Sequence, residues 1–468
     1  MPQHAGDRLP AWRRHLGEAV LGVAFAGVLG LPFVLRPRHE QAVAGEASRQ
    51  LPERALAVLS VHSETIRREF ERAFSRWTAP THGYAVRVDW LDVGGTTQAV
   101  RYVEDQFERN PEGIGVDLFF GGGADPYLRF EQLGYLEACR ISPGVLEAIP
   151  PSLAGTELYD PEMRWFGTCL AGFGLMFNRP VLDFLSLAEP ATWADLGRPE
   201  YFTWVASADP RHSGSIQMAY EIILQAYGWQ EGWRHVMRIG ANCRGFSREA
   251  SQVPADVSAG EAACGMAIDF YALRAVAEAG EDRLGFVLPR PLTVINPDGI
   301  GMFKGAPHRE LAEMFVEFVL SEAGQKLWAL KPGVPGGPTE FALYRLPLIP
   351  GLAARYGEGA ATTFDPFTFK GKVDFDLEKK NVRRRIMSDL FGALVVDTHE
   401  ELAAAWTVVR QLAADDPRRE QLLAPPVSEE ELLRLAEQGW DDPEFRADTV
   451  AAWSREARGR YRRLAEGR

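Results

Sequence analysis

Three short segments of this chain place small or hydroxylated residues just before a helical pattern: His62-Ser63-Glu64, Gly121-Gly122-Gly123 and Ser213-Gly214-Ser215. At a helix start the backbone N–H groups lack intrahelical acceptors, and the helix dipole adds partial positive charge. Such segments hold anions without needing a charged side chain. Ser63, Ser213 and Ser215 add hydroxyls, while Gly122 and Gly214 let a ligand come close to the main chain. Taken singly, each segment also reads as ordinary capping and turn formation; taken together they form a candidate anion site. His62, Glu64, Asp269 and Tyr271 are the residues that could gather round a hard metal cation. Asp269 and Tyr271 read as the end of a strand, where alternation gives them one face. Arg248 could grip an anionic group with two parallel hydrogen bonds, and Asp298 is a turn residue or a cleft wall.

Catalytic patterns do not compete strongly with this reading. No GxxxxGK phosphate loop and no GxSxG elbow occur, and His399-Glu400-Glu401 lacks the second histidine of a zinc-protease helix. An exported α/β enzyme acting on a phosphorylated compound stays open, with His62 and Asp269 as acid and base. The chain carries 64 acidic against 51 basic side chains, a net charge of −13, which disfavours nonspecific binding to nucleic acid. Cys139, Cys169, Cys243 and Cys264 form no CxxC pair, so a structural zinc site is not expected. They are four buried thiols or members of a disulfide.

The elements that must position these residues alternate. Ala55–Val61, Tyr84–Leu91 and Val116–Phe120 read as strands, separated by helical stretches at Ile66–Trp77 and after Gly94-Gly95-Thr96-Thr97. Trp165–Asn178 is a long strand-like passage, and Phe202–Ala206 and Cys264–Asp269 are strands of a middle block near residues 168–288, inserted into the first. This pattern predicts open, largely parallel α/β sheets. In such sheets ligands sit beyond the carboxyl ends of strands, where the three segments fall. The tail beyond Leu352 is charged and helical, is expected to pack on the first lobe, and shows no chemistry of its own; Arg383-Arg384-Arg385 reads as a solvated helix face. At the other end, Arg13 and Arg14 precede an apolar run from Ala19 to Leu35, read as a signal peptide or a retained membrane anchor that places the remainder outside the cytoplasm.

In order along the chain, IRREFERAF (Ile66–Phe74), VDLFFGGG (Val116–Gly123), WFGTCLAGFGLMFN (Trp165–Asn178), SADPRHSGS (Ser207–Ser215), GEAACGMAIDFY (Gly260–Tyr271) and NPDGIGMFKGAPHRELAEMFVEFVLSEAGQKLW (Asn296–Trp328) resemble the periplasmic solute-binding proteins of ABC importers, in the branch described as ferric-iron, thiamine or phosphonate type. The resemblance spans roughly residues 54–350. It implies a two-lobed, type II periplasmic-binding-protein fold, each lobe a mixed sheet flanked by helices, with hinge strands near 166–176 and 284–296. Residues 54–166 and 290–350 would form lobe 1 and 167–289 lobe 2, between a signal or anchor segment with linker (1–53) and a C-terminal extension (351–468). It further implies a permease and an ATPase as partners, no cofactor, and either ferric iron or a small anionic, phosphonate-like solute as ligand. Iron-carrying members use clustered tyrosinates, whereas here Phe270 stands beside Tyr271. A membrane-anchored sensor with the same lobe pair is the third reading.

Overall fold

The structure is a computed structural model that describes residues 52–153, 155–362 and 364–467. The expected N-terminal signal or anchor lies outside the described residues; among those described, no helix is long and apolar enough to cross a membrane. Among the described residues twelve strands follow in chain order: β1 (Glu53–Ser60), β2 (Ala85–Leu91), β3 (Leu118–Phe120), β4 (Leu136–Glu137), β5 (Ser152–Leu153), β6 (Thr156–Glu157), β7 (Trp165–Asn178), β8 (Val205–Ala208), β9 (Cys243–Ser247), β10 (Cys264–Ile268), β11 (Leu284–Val287) and β12 (Ile295–Phe303).

The main sheet runs β2-β1-β3-β12-β7-β10-β8-β9, with β4 beside β12 and β11 beside β7. β1 pairs in parallel with β2 and β3, and β8 pairs in parallel with β9 and β10, as expected where helices cross between strands. β7 is buried along its whole length and serves both halves. Its first part, to Gly172, pairs with β12, and from Phe173 onward it pairs with β10 and β11. Its glycines let the return segment pack close. A Cβ on Gly174 would stand 2.3 Å from the Val287 carbonyl oxygen, and one on Gly172 would stand 2.9 Å from Leu288.

Each half has its own apolar interior. In the first, Phe70, Phe74, Phe120, Phe315 and Trp328 pack between the sheet and helices Glu64–His82 and Arg309–Leu320. In the second, Trp193, Ile222, Trp233, Val236 and Met266 pack together. All four cysteines are buried free thiols, the first of the two readings above.

The C-terminal extension does not pack on the first lobe alone, as its sequence suggested. Leu352, Ala353, Ala360 and Phe369 do join the first interior. The helices that follow (Leu377–Phe391, His399–Val409, Pro417–Leu423, Glu429–Gly439 and Pro443–Ala465) cover the second lobe. The reason lies in helix Trp229–Asn242, whose apolar side would otherwise face water: Val236 and Ile239 share one buried apolar interior with Leu394, Trp406 and Tyr461. Gly240 admits Val395 so closely that an added Cβ would overlap it at 2.3 Å. Trp406 donates its indole N–H to Asn242 at 2.8 Å, and Arg211 bonds both carboxylate oxygens of Asp397 at 2.8 and 2.9 Å. Arg383 is fully buried against Glu221, so the expected solvated arginine face is wrong at its first residue.

Candidate functional site

Between the halves lies a cavity of about 380 Å³. Its first-lobe wall is made by the turn after β1 (Val61 to Ser63, Thr65 and Ile66), Gly95 to Gln98, Gly122, Gly123 and Asp125, β12 at Asn296 and Asp298, and Ala342 to Arg345. Its second-lobe wall is made by His212 to Ser215, Gln217 and Met218 after β8, Glu249 to Ser251 after β9, and Ile268, Phe270, Tyr271 and Arg274 after β10. The starts of helices Glu64–His82, Thr96–Arg109 and Asp125–Gln132 on one side, and Gly214–Tyr227 on the other, therefore open on one space. Ser63 precedes its helix without spending its hydroxyl on a cap, whereas Ser213 Oγ accepts the Ile216 N–H at 3.3 Å. An added Cβ on Gly214 would meet nothing within 4 Å, so this position faces open cleft.

The glycine triplet has a more structural part than its sequence suggested. Gly121, Gly122 and Gly123 have φ of 100°, 93° and 78°, a run that side chains resist. The Gly121 N–H bonds Gly299 O at 2.8 Å and the Gly123 N–H bonds Asp298 Oδ1 at 2.7 Å. Gly122 and Gly123 line the cavity; Gly121 instead packs on the His62 ring.

Asp298 sits where the β12–β7 register shifts, a bulge that aims its carboxylate at the cleft. Arg345 bonds it at 2.6 Å, and the guanidinium stacks over Phe270 at 3.5 Å. Burial alone would raise the Asp298 pKa; Arg345, His62 and the Gly123 amide more than offset this and hold it below its usual value. Arg345 was not anticipated, although an arginine inside the apolar run FALYRLPLIP is a signal of a buried pair.

His62 is buried edge-on against Phe120, with ring centroids 4.5 Å apart, and among the described residues its Nε2 has no hydrogen-bond partner. Burial, reinforced by Arg345 and Arg67 and opposed by Asp298, lowers its pKa to about 3, so the imidazole is neutral at physiological pH. The unfolded chain takes up this proton near the ordinary value of 6.5, the folded chain only near 3. Stability contributed by neutral His62 is therefore complete above 6.5 and is lost as pH falls towards 3, by at most about 1.4 kcal/mol per pH unit. In His62→Leu, urea midpoints measured from pH 6.5 to 4 are expected to fall less steeply than in the parent; equal slopes would contradict this assignment.

Several expected ligands fall elsewhere. Glu64 is exposed and turns to Arg68 on its own helix. Arg248 is exposed and lies outside the cavity lining. β10 stops at Ile268, and Asp269 opens helix Asp269–Ala279, so Asp269 and Tyr271 do not share a strand face. The Asp269 carboxylate accepts the Gly172 and Phe270 N–H groups, each at 2.7 Å, and so pins the crossing strand; burial raises its pKa to about 7. Tyr271 lines the cavity, with burial raising its pKa. His62, Glu64, Asp269 and Tyr271 thus do not converge as a metal set, and among the described residues no three His, Cys, Asp or Glu side chains gather as one. Nor does Asp269 reach the cavity to act as acid or base with His62. The cavity also takes in Thr96, Thr97 and Gln98, which repeat the hydroxyl-at-helix-start pattern, together with Arg274, Lys380 and Arg384. Nothing local in the sequence marks the last two as cleft residues.

A cleft between two α/β lobes, walled by strand ends and helix starts from both, defines the chain as a two-lobed binding protein. It belongs to the bacterial extracellular solute-binding protein family, whose model matches residues 114–350. The phosphoglycerate transport regulatory protein PgtC of Salmonella typhimurium is 29% identical over 160 residues, 34% of this chain. The match covers about two fifths (39%) of that relative's length. An uncharacterized protein of Haemophilus influenzae is 27% identical over 300 residues, 63% of this chain and 79% of that one. Among solved structures, the periplasmic binding protein P5PA superposes with a TM-score of 0.55 at 21% identity, covering 72% of this chain and 97% of that one. A ferric binding protein from Campylobacter jejuni gives 0.53 at 15% identity, covering 74% and 99%. AfuA from Actinobacillus pleuropneumoniae, with fructose-6-phosphate bound, gives 0.50 at 20% identity, covering 77% and 99%. These likenesses establish the two-lobed fold.

Proposed function

We propose that the chain is an extracytoplasmic binding protein that captures a small phosphorylated solute between its lobes and presents it to the permease of an ABC importer powered by a separate ATPase. The observation that carries this reading is the convergence of helix starts from both lobes on one cavity of about 380 Å³. Helix-start amides, helix dipoles and the hydroxyls of Ser63, Thr96, Thr97 and Ser215 suit a phosphate's many acceptor oxygens. The volume suits a small organic molecule. The side chains that could hold bare ferric iron are dispersed, which favours an anion over a metal cation. The phosphoglycerate in the Salmonella relative's name and the fructose-6-phosphate in AfuA fit the same class. A ligand touching both lobes favours the closed arrangement by the difference in its affinity for the closed and open forms.

Calorimetric titration with 3-phosphoglycerate, fructose 6-phosphate, inorganic phosphate and ferric citrate tests this directly. At least one phosphorylated organic compound is expected to bind with a micromolar or tighter Kd, and to raise the melting temperature. Binding of ferric citrate alone would overturn the reading.

A further inference from the structure

The family match ends at residue 350, yet the cleft has a wall beyond it. Helix Leu377–Phe391 sends Lys380 and Arg384, one turn apart, into the cavity. The helix is fixed to the second lobe. Arg383 bonds Glu221 at 2.6 Å with both side chains buried, and the Asp376 backbone exchanges two hydrogen bonds with the Gln225 amide, at 2.7 and 2.9 Å. From there it reaches the first lobe: the Lys380 ammonium pairs with Asp125, and Arg384 Nη2 donates to Thr97 Oγ1 at 3.1 Å.

Arg384 differs from the other cations of the cleft. Arg345 has Asp298, Lys380 has Asp125, and Arg274 has Glu278 on its own helix. For Arg384, among the described residues, no carboxylate lies within ion-pair distance; the guanidinium's hydrogen-bond partner is a neutral hydroxyl at the start of helix Thr96–Arg109. Its guanidinium is half-buried, and burial together with nearby Arg101 pushes its pKa down. A cation held without a counter-ion, beside another cation and at a helix start, sits in a field that an anion would relieve.

We infer that Arg384, carried by the C-terminal extension, is a ligand-binding residue that grips the phosphate of the solute together with the amides and hydroxyls of Thr96 and Thr97. The inference rests on the reading of the cleft as a phosphate site. It gives the extension a purpose: its helix Leu377–Phe391, fixed to the second lobe, forms a third wall of the cleft and meets the first lobe through the Lys380–Asp125 and Arg384–Thr97 contacts.

The test is titration of the full chain with 3-phosphoglycerate and fructose 6-phosphate, comparing Arg384→Gln and Arg384→Lys with the parent. Whichever probe the parent binds should weaken by about 10- to 100-fold in Arg384→Gln, the range for a lost charged hydrogen bond. Arg384→Lys should recover part of this, and the ligand-free melting temperature should be the same in all three. Unchanged affinity in Arg384→Gln, with the parent still binding, overturns the role of the extension and leaves the phosphate reading standing. An equal loss in both variants with a lowered melting temperature also overturns it, because Arg384 would then be holding structure. A parent that binds neither probe overturns the phosphate reading and this inference with it.

Discussion

Gly214→Trp is expected to weaken binding of the phosphorylated solute by more than about 100-fold, equivalent to about 2.7 kcal/mol, while leaving folding stability nearly unchanged. Gly214 is the first residue of helix Gly214–Tyr227 and faces open cleft, with nothing within 4 Å of where a Cβ would stand. Its backbone does not require glycine, since it is not among the positive-φ residues. An indole would therefore enter the cavity without displacing core. It would occupy much of the 380 Å³ and screen the amides at the helix start. Calorimetry with 3-phosphoglycerate or fructose 6-phosphate gives the affinity, and urea denaturation gives the stability. Affinity within threefold of the parent would place the ligand elsewhere.

Arg383→Ala should lower the stability of the chain by about 3–5 kcal/mol, the range for stranding one partner of a buried ion pair. Arg383 meets Glu221 through Nη2 at 2.6 Å and Nε at 3.2 Å, and also pairs with Glu429. Removing it leaves the Glu221 carboxylate buried with the Gln225 amide, a neutral donor, at 2.7 Å. A double change, Arg383→Met with Glu221→Leu, should recover much of the loss, since an apolar pair does not carry the desolvation cost. Because the same helix carries Arg384, Arg383→Ala should also weaken solute binding. A shift in urea unfolding free energy below about 1 kcal/mol would show that the extension is not held by this pair.

What the sequence made legible was local. Short apolar runs ending in Gly and Ser mark strand ends and helix starts within a few residues, and Ser63, Gly122 and Ser213, which follow such runs, line the cavity. Long-range pairing left no such mark. Glu221 and Arg383 are 162 positions apart, and neither the acid in an apolar helix nor the triple arginine names its partner. Asp269 misled for a different reason: strand β10 passes directly into a helix with no small or polar cap residue before it, so alternation seemed to continue through Tyr271. The charged composition of the tail hid the apolar side with which it covers helix Trp229–Asn242.

The most direct measurement is a crystal structure of the chain with a bound organophosphate. The phosphorus is expected between the first turns of helices Thr96–Arg109 and Gly214–Tyr227, within hydrogen-bonding reach of groups from both lobes and of the Arg384 guanidinium. A phosphate bound outside this cleft, or contacting one lobe alone, would contradict it.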